Sequence, residues 1–205
     1  MEMDWNQAYE TGDFKNWDFG TASSELVALF AVKGLPPEGK RAVDIGCGGG
    51  WESIFLVKCG FDVTGIDFSS NAIQLAKKRA EDAKVQVDFK QGNALALPVE
   101  DESIDFANDR GCLHVIPEED RSRYVKEILR ILKPGGQLLL RGCRELTDEL
   151  KAAAGERKIA IKPLAKETIE SLFSPDHFTL GPILPLRLMG ETNGIPGNIV
   201  LITKR

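Results

Sequence analysis

Four glycines, Gly46, Gly48, Gly49 and Gly50, crowd the stretch AVDIGCGGGWES, residues 42–53, directly after a short apolar run. Glycine loses more backbone freedom on folding than any other residue, so such a cluster marks a strained turn or a close approach. A glycine loop between strand and helix is also the setting in which backbone N–H groups cradle a pyrophosphate. The spacing departs from that fingerprint. In the register that begins Gly46-x-Gly48, the third glycine place falls on Trp51. Asp44 stands just before the turn, where its carboxylate repels a phosphate and attracts a cation. A ligand joining an ammonium, a sulfonium and a nucleoside suits this loop better than a dinucleotide. For the glycines alone, a tight strand–helix turn without a ligand is the plain alternative.

Other residue types complete a nucleoside site. Asp67 ends the next apolar run, DVTGID, and its carboxylate can accept from both ribose hydroxyls, or else cap the following helix. Phe68 offers a ring to a purine face. Asn93, in QGNALALP, has an amide that can donate and accept at an adenine edge. Further along, Asn108-Asp109-Arg110-Gly111-Cys112-Leu113-His114 gathers an acid, a cation and an imidazole. An anionic thiol, selenol or halide acceptor needs little base but gains from a nearby cation, which Arg110 supplies. An oxygen or nitrogen acceptor needs a base, for which Asp109 and His114 are the candidates. Each also has a structural reading: Asp109 and Arg110 as an ion pair, His114 satisfied by backbone.

The elements that must position these residues alternate. RAVDI, DVTGID, VQVDFK, SIDFAND and QLLLR read as strands, with KPGGQ as a turn before the last. WESIFLVKC, NAIQLAKKRAED and the segment after Pro117 read as helices; Ser69 and Ser70 are N-cap candidates. The last of these presents Tyr124, Val125, Ile128, Leu129 and Leu132 on one face. KETIESLF reads as a further helix, and FTLGPILPLRL with NIVLITK as a terminal strand pair. Strands alternating with helices predict an α/β, doubly wound sheet, with ligands beyond the carboxyl ends of its strands.

On VDIGCGGG, GID, GNALALP, IDFANDRGCLH and LKPGGQLLL, residues 40–145 resemble the class I S-adenosylmethionine-dependent methyltransferases. The resemblance implies a seven-stranded, mostly parallel sheet with an antiparallel last strand. It places Asp44 and the backbone of Gly46, Cys47, Gly48, Gly49 and Gly50 near the methionine part of the cofactor, Asp67 at the ribose, and Asn93 with Ala94 at the adenine. Many members carry aspartate where Asn93 stands. The fourth strand end faces the methyl group, so Asp109 counts among both the cofactor contacts and the catalytic candidates. An N-P-P-Y type sequence is missing there, which counts against amino-group acceptors of the adenine or glutamine type. DRGCLH, with WNQAYETGDFKNWDFG, resembles the thiopurine methyltransferase and tellurite-resistance branch, which methylates small soft nucleophiles. Arg110 matches the arginine that lies by the acceptor in the thiopurine enzymes.

Trp5, Tyr9, Phe14, Trp17 and Phe19 precede the sheet, as a lid over the cofactor mouth or as packing on a sheet edge. Trp17 and Phe19 are the expected acceptor contacts, with Arg187 and Met189 as candidates for the opposite wall. His177 reads as surface or capping material. Cys47, Cys112 and Cys143 each fall near a strand end, and their convergence on a soft metalloid is a further alternative. No zinc-ligand spacing appears, and no metal is expected. A single domain over residues 1–205 is expected, with 1–38 as an N-terminal helical lid, 39–145 as the cofactor-binding core and 146–205 as a C-terminal helix and strand pair. The net charge of −5 argues against nucleic-acid or anionic-membrane partners. Without a signal peptide or long apolar run, the chain is expected to be cytoplasmic. The leading reading is methyl transfer from S-adenosylmethionine to a small thiol-like acceptor. O- or N-methylation of a small metabolite, and a non-catalytic S-adenosylmethionine-binding protein, are the alternatives.

Overall fold

RAVDI forms β1 (Arg41–Ile45), buried from Ala42 onward, as a run lacking a polar face must be. It lies between β2 (Asp62–Asp67) and β4 (Ile104–Arg110), parallel to both. β3 (Asp88–Gln91) extends the sheet beyond β2, and β5 (Leu132–Cys143) extends it beyond β4. The computed structural model describes residues 4–148, 152, 161–188 and 194–205, and Met189 lies outside them.

On the far side of β5 runs β8 (Ile195–Lys204), antiparallel to it. β6 (Phe178–Leu180) and β7 (Leu184–Leu188) both pair antiparallel with β8. The order is β3-β2-β1-β4-β5-β8-β6, with β7 alongside β8. The described residues thus form eight strands in seven positions. β6 and β7 share one edge, separated by Gly181-Pro182-Ile183, where proline removes a ladder donor. The turn expected at Lys133–Gly136 is instead a bulge within β5. Pairing steps from Ile104↔Leu132 to Phe106↔Gln137 across it, and Gly135 takes the left-handed φ of 78°.

Helices cover both faces. α3 (Trp51–Lys58) and α4 (Ser70–Asp82) follow β1 and β2, and Ser69 caps α4 by accepting the Ala72 N–H at 3.1 Å. α5 (Arg121–Ile131) buries Tyr124, Val125, Ile128 and Ile131 against β1, β4 and β5. The segment expected as one lid, 1–38, is divided. α2 (Ser24–Lys33) belongs to the core: Phe30 packs edge-on against Phe61 and Phe106, at 5.4 and 5.2 Å between ring centroids. Residues 5–21, with α1 (Trp5–Thr11) and the 3₁₀ turn Asp13–Asn16, lie toward the strand ends. Strand order reverses between β1 and β4, and the crevice of such a sheet opens there.

Candidate cofactor and acceptor site

A cavity of about 290 Å³ lies at that reversal, lined by the glycine loop, the ends of β1, β2 and β4, and residues 5–21. The loop needs its glycines for two different reasons. Gly46, Gly48 and Gly50 have φ of 66°, 52° and 83°, which L side chains rarely adopt. Gly49 has no such φ, but a Cβ there would stand 1.9 Å from Arg79 Nη1. Arg79 donates to the Gly49 carbonyl at 3.1 Å and to Asp18 Oδ2 at 2.5 Å. Asp18 Oδ1 accepts from Trp51 Nε1 at 3.1 Å, so one aspartate pins the N-terminal segment to α3 and α4. Trp5, Tyr9, Trp17 and Phe19 all line the cavity. Phe14 stacks on Tyr9 at 5.0 Å instead of facing it.

Asp44 is buried at the inner end of the cavity. Ser53 Oγ donates to its Oδ2 at 2.6 Å and Asn108 Nδ2 to its Oδ1 at 2.8 Å. Burial, then the neighbouring Glu52 charge, push its pKa up to about 6. Asp67 Oδ1 accepts the Ser69 N–H at 2.9 Å and Asp67 lines the cavity; burial raises its pKa. Phe68 stands at the rim, 62% exposed. Cys47, Gly92 and Ala94 line the same cavity.

Asn93 is not part of that wall. Its Oδ1 accepts the Leu95 N–H at 2.9 Å, closing its own turn, so the side chain serves the loop and not the cavity.

Asp109 and His114 are also placed otherwise than as bases. Asp109 points to the α5 face and is fully buried. Its Oδ2 accepts from Tyr124 Oη at 2.6 Å and from Leu113 N–H at 3.0 Å, and its Oδ1 accepts from Cys112 N–H at 2.7 Å. It holds the loop after β4 and stands outside the cavity lining. His114 does line the cavity, but its Nδ1 accepts the Cys143 N–H at 3.0 Å. The lone pair it would need as a base is thus committed, and the ring proton sits on Nε2. Burial, then the Arg121 charge, pull its pKa down to about 4, so it is a neutral donor at physiological pH.

Arg110 lines the cavity as its only arginine or lysine among the described residues. Its guanidinium lies 5.5 Å from the Phe19 ring, and its Nε is 3.6 Å from Glu52 Oε1. It pairs with Glu52 and not with Asp109. Cys47 and Cys112 both line the cavity, whereas Cys143 Sγ donates to the Glu145 carbonyl at 3.1 Å, so the three thiols do not converge. Burial raises the pKa of each of these thiols. Among the described residues, no group of three or more histidine, cysteine, aspartate or glutamate side chains could hold a metal ion. Arg187 is exposed and its Nη1 donates to the Gly194 carbonyl at 3.5 Å; its neighbour Leu188, with Ile195, forms that wall instead.

Sequence reasoning missed Glu52, Asp18 and Arg141. Glu52 lines the cavity from the first turn of α3, where an acid reads as a partner of the helix dipole.

Residues 42–136 match the methyltransferase-domain family. The chain is 31% identical over 175 residues to phosphoethanolamine N-methyltransferase 2 of Caenorhabditis elegans, covering 79% of this chain and 40% of that one. It is 40% identical over 105 residues to a demethylmenaquinone methyltransferase of Lactococcus lactis, covering 49% of this chain and 41% of the other. A solved S-adenosylmethionine-dependent methyltransferase of Methanosarcina mazei superposes with a TM-score of 0.71 at 27% identity, covering 85% of this chain and 96% of that one. The chain spans about half the length of the curated relatives it matches. The fold is the α/β, Rossmann-like methyltransferase fold, and within it residues 42–136 carry the likeness to S-adenosylmethionine-dependent methyltransferases.

Proposed function

We propose that this chain transfers a methyl group from S-adenosylmethionine to a small molecule, and that the acceptor is a thiol-like nucleophile bound as an anion beside Arg110. When bound, S-adenosylmethionine supplies a methyl group on positively charged sulfur and leaves as S-adenosylhomocysteine. The cavity fits such a cofactor. The backbone of Gly46–Gly50 lines it, the buried acid Asp44 favours a cation, and Asp67 offers a carboxylate that a ribose would donate to. Asp67, Phe68, Gly92 and Ala94 would hold the nucleoside, and Asp44, Gly46, Cys47 and Gly48 the methionine end. Trp17, Phe19 and the 5–16 segment would act as the lid, excluding water so that a poised acceptor is not diluted by solvent.

One observation carries the acceptor assignment: the cavity offers a permanent cation, Arg110, while both expected bases have their acceptor atoms engaged. A group that arrives already ionised needs no base and gains from that cation. The phosphoethanolamine N-methyltransferase relative favours a second reading, an N- or O-acceptor, for which His114 Nε2–H would orient the substrate as a donor. Turnover of labelled cofactor over thiols, phenols and amines separates the two. Preferential methylation of acidic thiols supports the first reading, and methylation confined to amines or phenols overturns it. Cofactor binding without turnover on any class would leave a binding protein.

A further inference from the structure

Arg110 and Arg141 are register partners on the parallel strands β4 and β5, so their side chains leave the sheet on the same face. Two guanidiniums side by side repel one another. Arg141 cannot yield: it is wholly buried, donating from Nη1 to Ser23 Oγ at 2.5 Å and from Nη2 to Asn108 Oδ1. The Glu25 carboxylate lies 3.6 Å from Nη1 and offsets much of its charge. Glu52 Oε1 stands between the pair, 3.6 Å from Arg110 Nε and 3.8 Å from Arg141 Nη1, and it accepts the Ser23 N–H at 3.1 Å. The Glu52 side chain is only 8% exposed, and its Oε2 is buried with no hydrogen-bond partner. A buried charge is retained where an opposite charge needs it. Arg141 has Glu25 as a second carboxylate partner, whereas Glu52 is the carboxylate paired with Arg110, and of the two arginines Arg110 is the one that lines the cavity. Phe19 covers one face of that guanidinium and Glu52 its Nε side. The terminal nitrogens of Arg110 make no hydrogen bond among the described residues.

We propose that Glu52 is a positioning residue for methyl transfer: standing between two in-register arginines, it holds Arg110 at the cavity wall with its terminal nitrogens available to an anionic acceptor. The inference rests on the reading of Arg110 as the acceptor's counter-charge. Glu52 acts through Arg110 and needs no contact with cofactor. Its loss leaves Arg110 repelled by Arg141 and drawn toward solvent. The acceptor then binds weakly and ionises closer to its solution pKa.

The test uses the full chain, with Glu52→Gln, Glu52→Asp, Arg110→Ala and the Glu52→Gln/Arg110→Ala double variant. Calorimetry reads S-adenosylmethionine affinity, and steady-state kinetics read aryl thiols of graded acidity across pH. In Glu52→Gln, KM for the thiol rises about tenfold, the kcat–pH profile moves to higher pH, and cofactor affinity stays within about twofold. Glu52→Asp, which keeps the charge, recovers part of the loss and serves if the glutamine variant does not fold. The double variant is no worse than Arg110→Ala alone, as coupled residues require. Additive losses, or a Glu52→Gln defect confined to cofactor affinity, would overturn the inference. Normal thiol kinetics in Glu52→Gln beside an impaired Arg110→Ala would overturn it alone. An Arg110→Ala enzyme with unchanged thiol kinetics would overturn both it and the acceptor assignment beneath it.

Discussion

Asp67 Oδ2 accepts the Gly48 N–H at 2.9 Å, joining the end of β2 to the middle of the glycine loop across nineteen positions. With its other oxygen on Ser69 N–H, one carboxylate fixes the loop and the start of α4 while lining the cavity. Asp67→Ala is therefore expected to weaken S-adenosylmethionine binding by about 10- to 100-fold, the worth of a hydrogen bond to a charged group. Calorimetry checks this, and unchanged affinity would remove Asp67 from the ribose.

Arg110→Lys separates charge from shape. Lysine keeps the cation but loses the planar fork and its stacking on Phe19. Turnover of acidic thiols is expected to fall about tenfold or less in Arg110→Lys and further in Arg110→Ala. An equal fall in both would show that shape, and not charge, is what the acceptor reads.

Two buried groups titrate in opposition. Asp44 has a pKa of about 6 against 3.8 in the unfolded chain, so the folded state binds its proton first. Its contribution raises stability as pH falls from about 6 toward 3.8. His114 has a pKa of about 4 against 6.5, so the unfolded state binds its proton first. Its contribution lowers stability as pH falls from 6.5 toward 4. Urea unfolding between pH 4.5 and 7.5 is expected to show a steeper acid loss in Asp44→Asn than in wild type, and a shallower one in His114→Asn. Parallel slopes in all three proteins would refute both assignments.

Tyr124→Phe removes the 2.6 Å hydrogen bond to Asp109 and leaves a buried carboxylate short of a donor. A loss of about 1–3 kcal/mol is expected in denaturant unfolding. The Asp109 carboxylate also holds the loop that carries Cys112 and Leu113, so thiol turnover should fall even where folding is complete.

Asp18→Ala frees Arg79 and Trp51 from the N-terminal segment. Stopped-flow fluorescence of the nearby tryptophans should then show faster cofactor dissociation. An unchanged rate would mean that this segment does not gate the cavity.

The strand–loop–helix units around Asp44 and Asp67 were legible because each is built from consecutive residues, and the turn chemistry of Gly46, Gly48 and Gly50 is local. What failed to show in the sequence was tertiary. The lone pairs of Asp109 and His114 are taken by Tyr124 and Cys143, residues fixed only once α5 and β5 pack. Arg141 looks like a polar strand end in QLLLR, and only its register opposite Arg110 reveals a buried charge. Glu52 hid behind the ordinary preference for acids in a first helical turn. The eighth strand was hidden within FTLGPILPLRL, where Gly181-Pro182 breaks one edge into two.

Because β8 is inserted between β5 and the β6–β7 edge, its pairing partners are made on the ribosome before it is. Among the described residues β6 and β7 therefore have no neighbour in the sheet until residues 195–204 emerge, and the nascent chain carries an unpaired apolar β5 flank while residues 144–194 are made. Its vulnerability to aggregation is concentrated in that interval, before the late-arriving strand is seated.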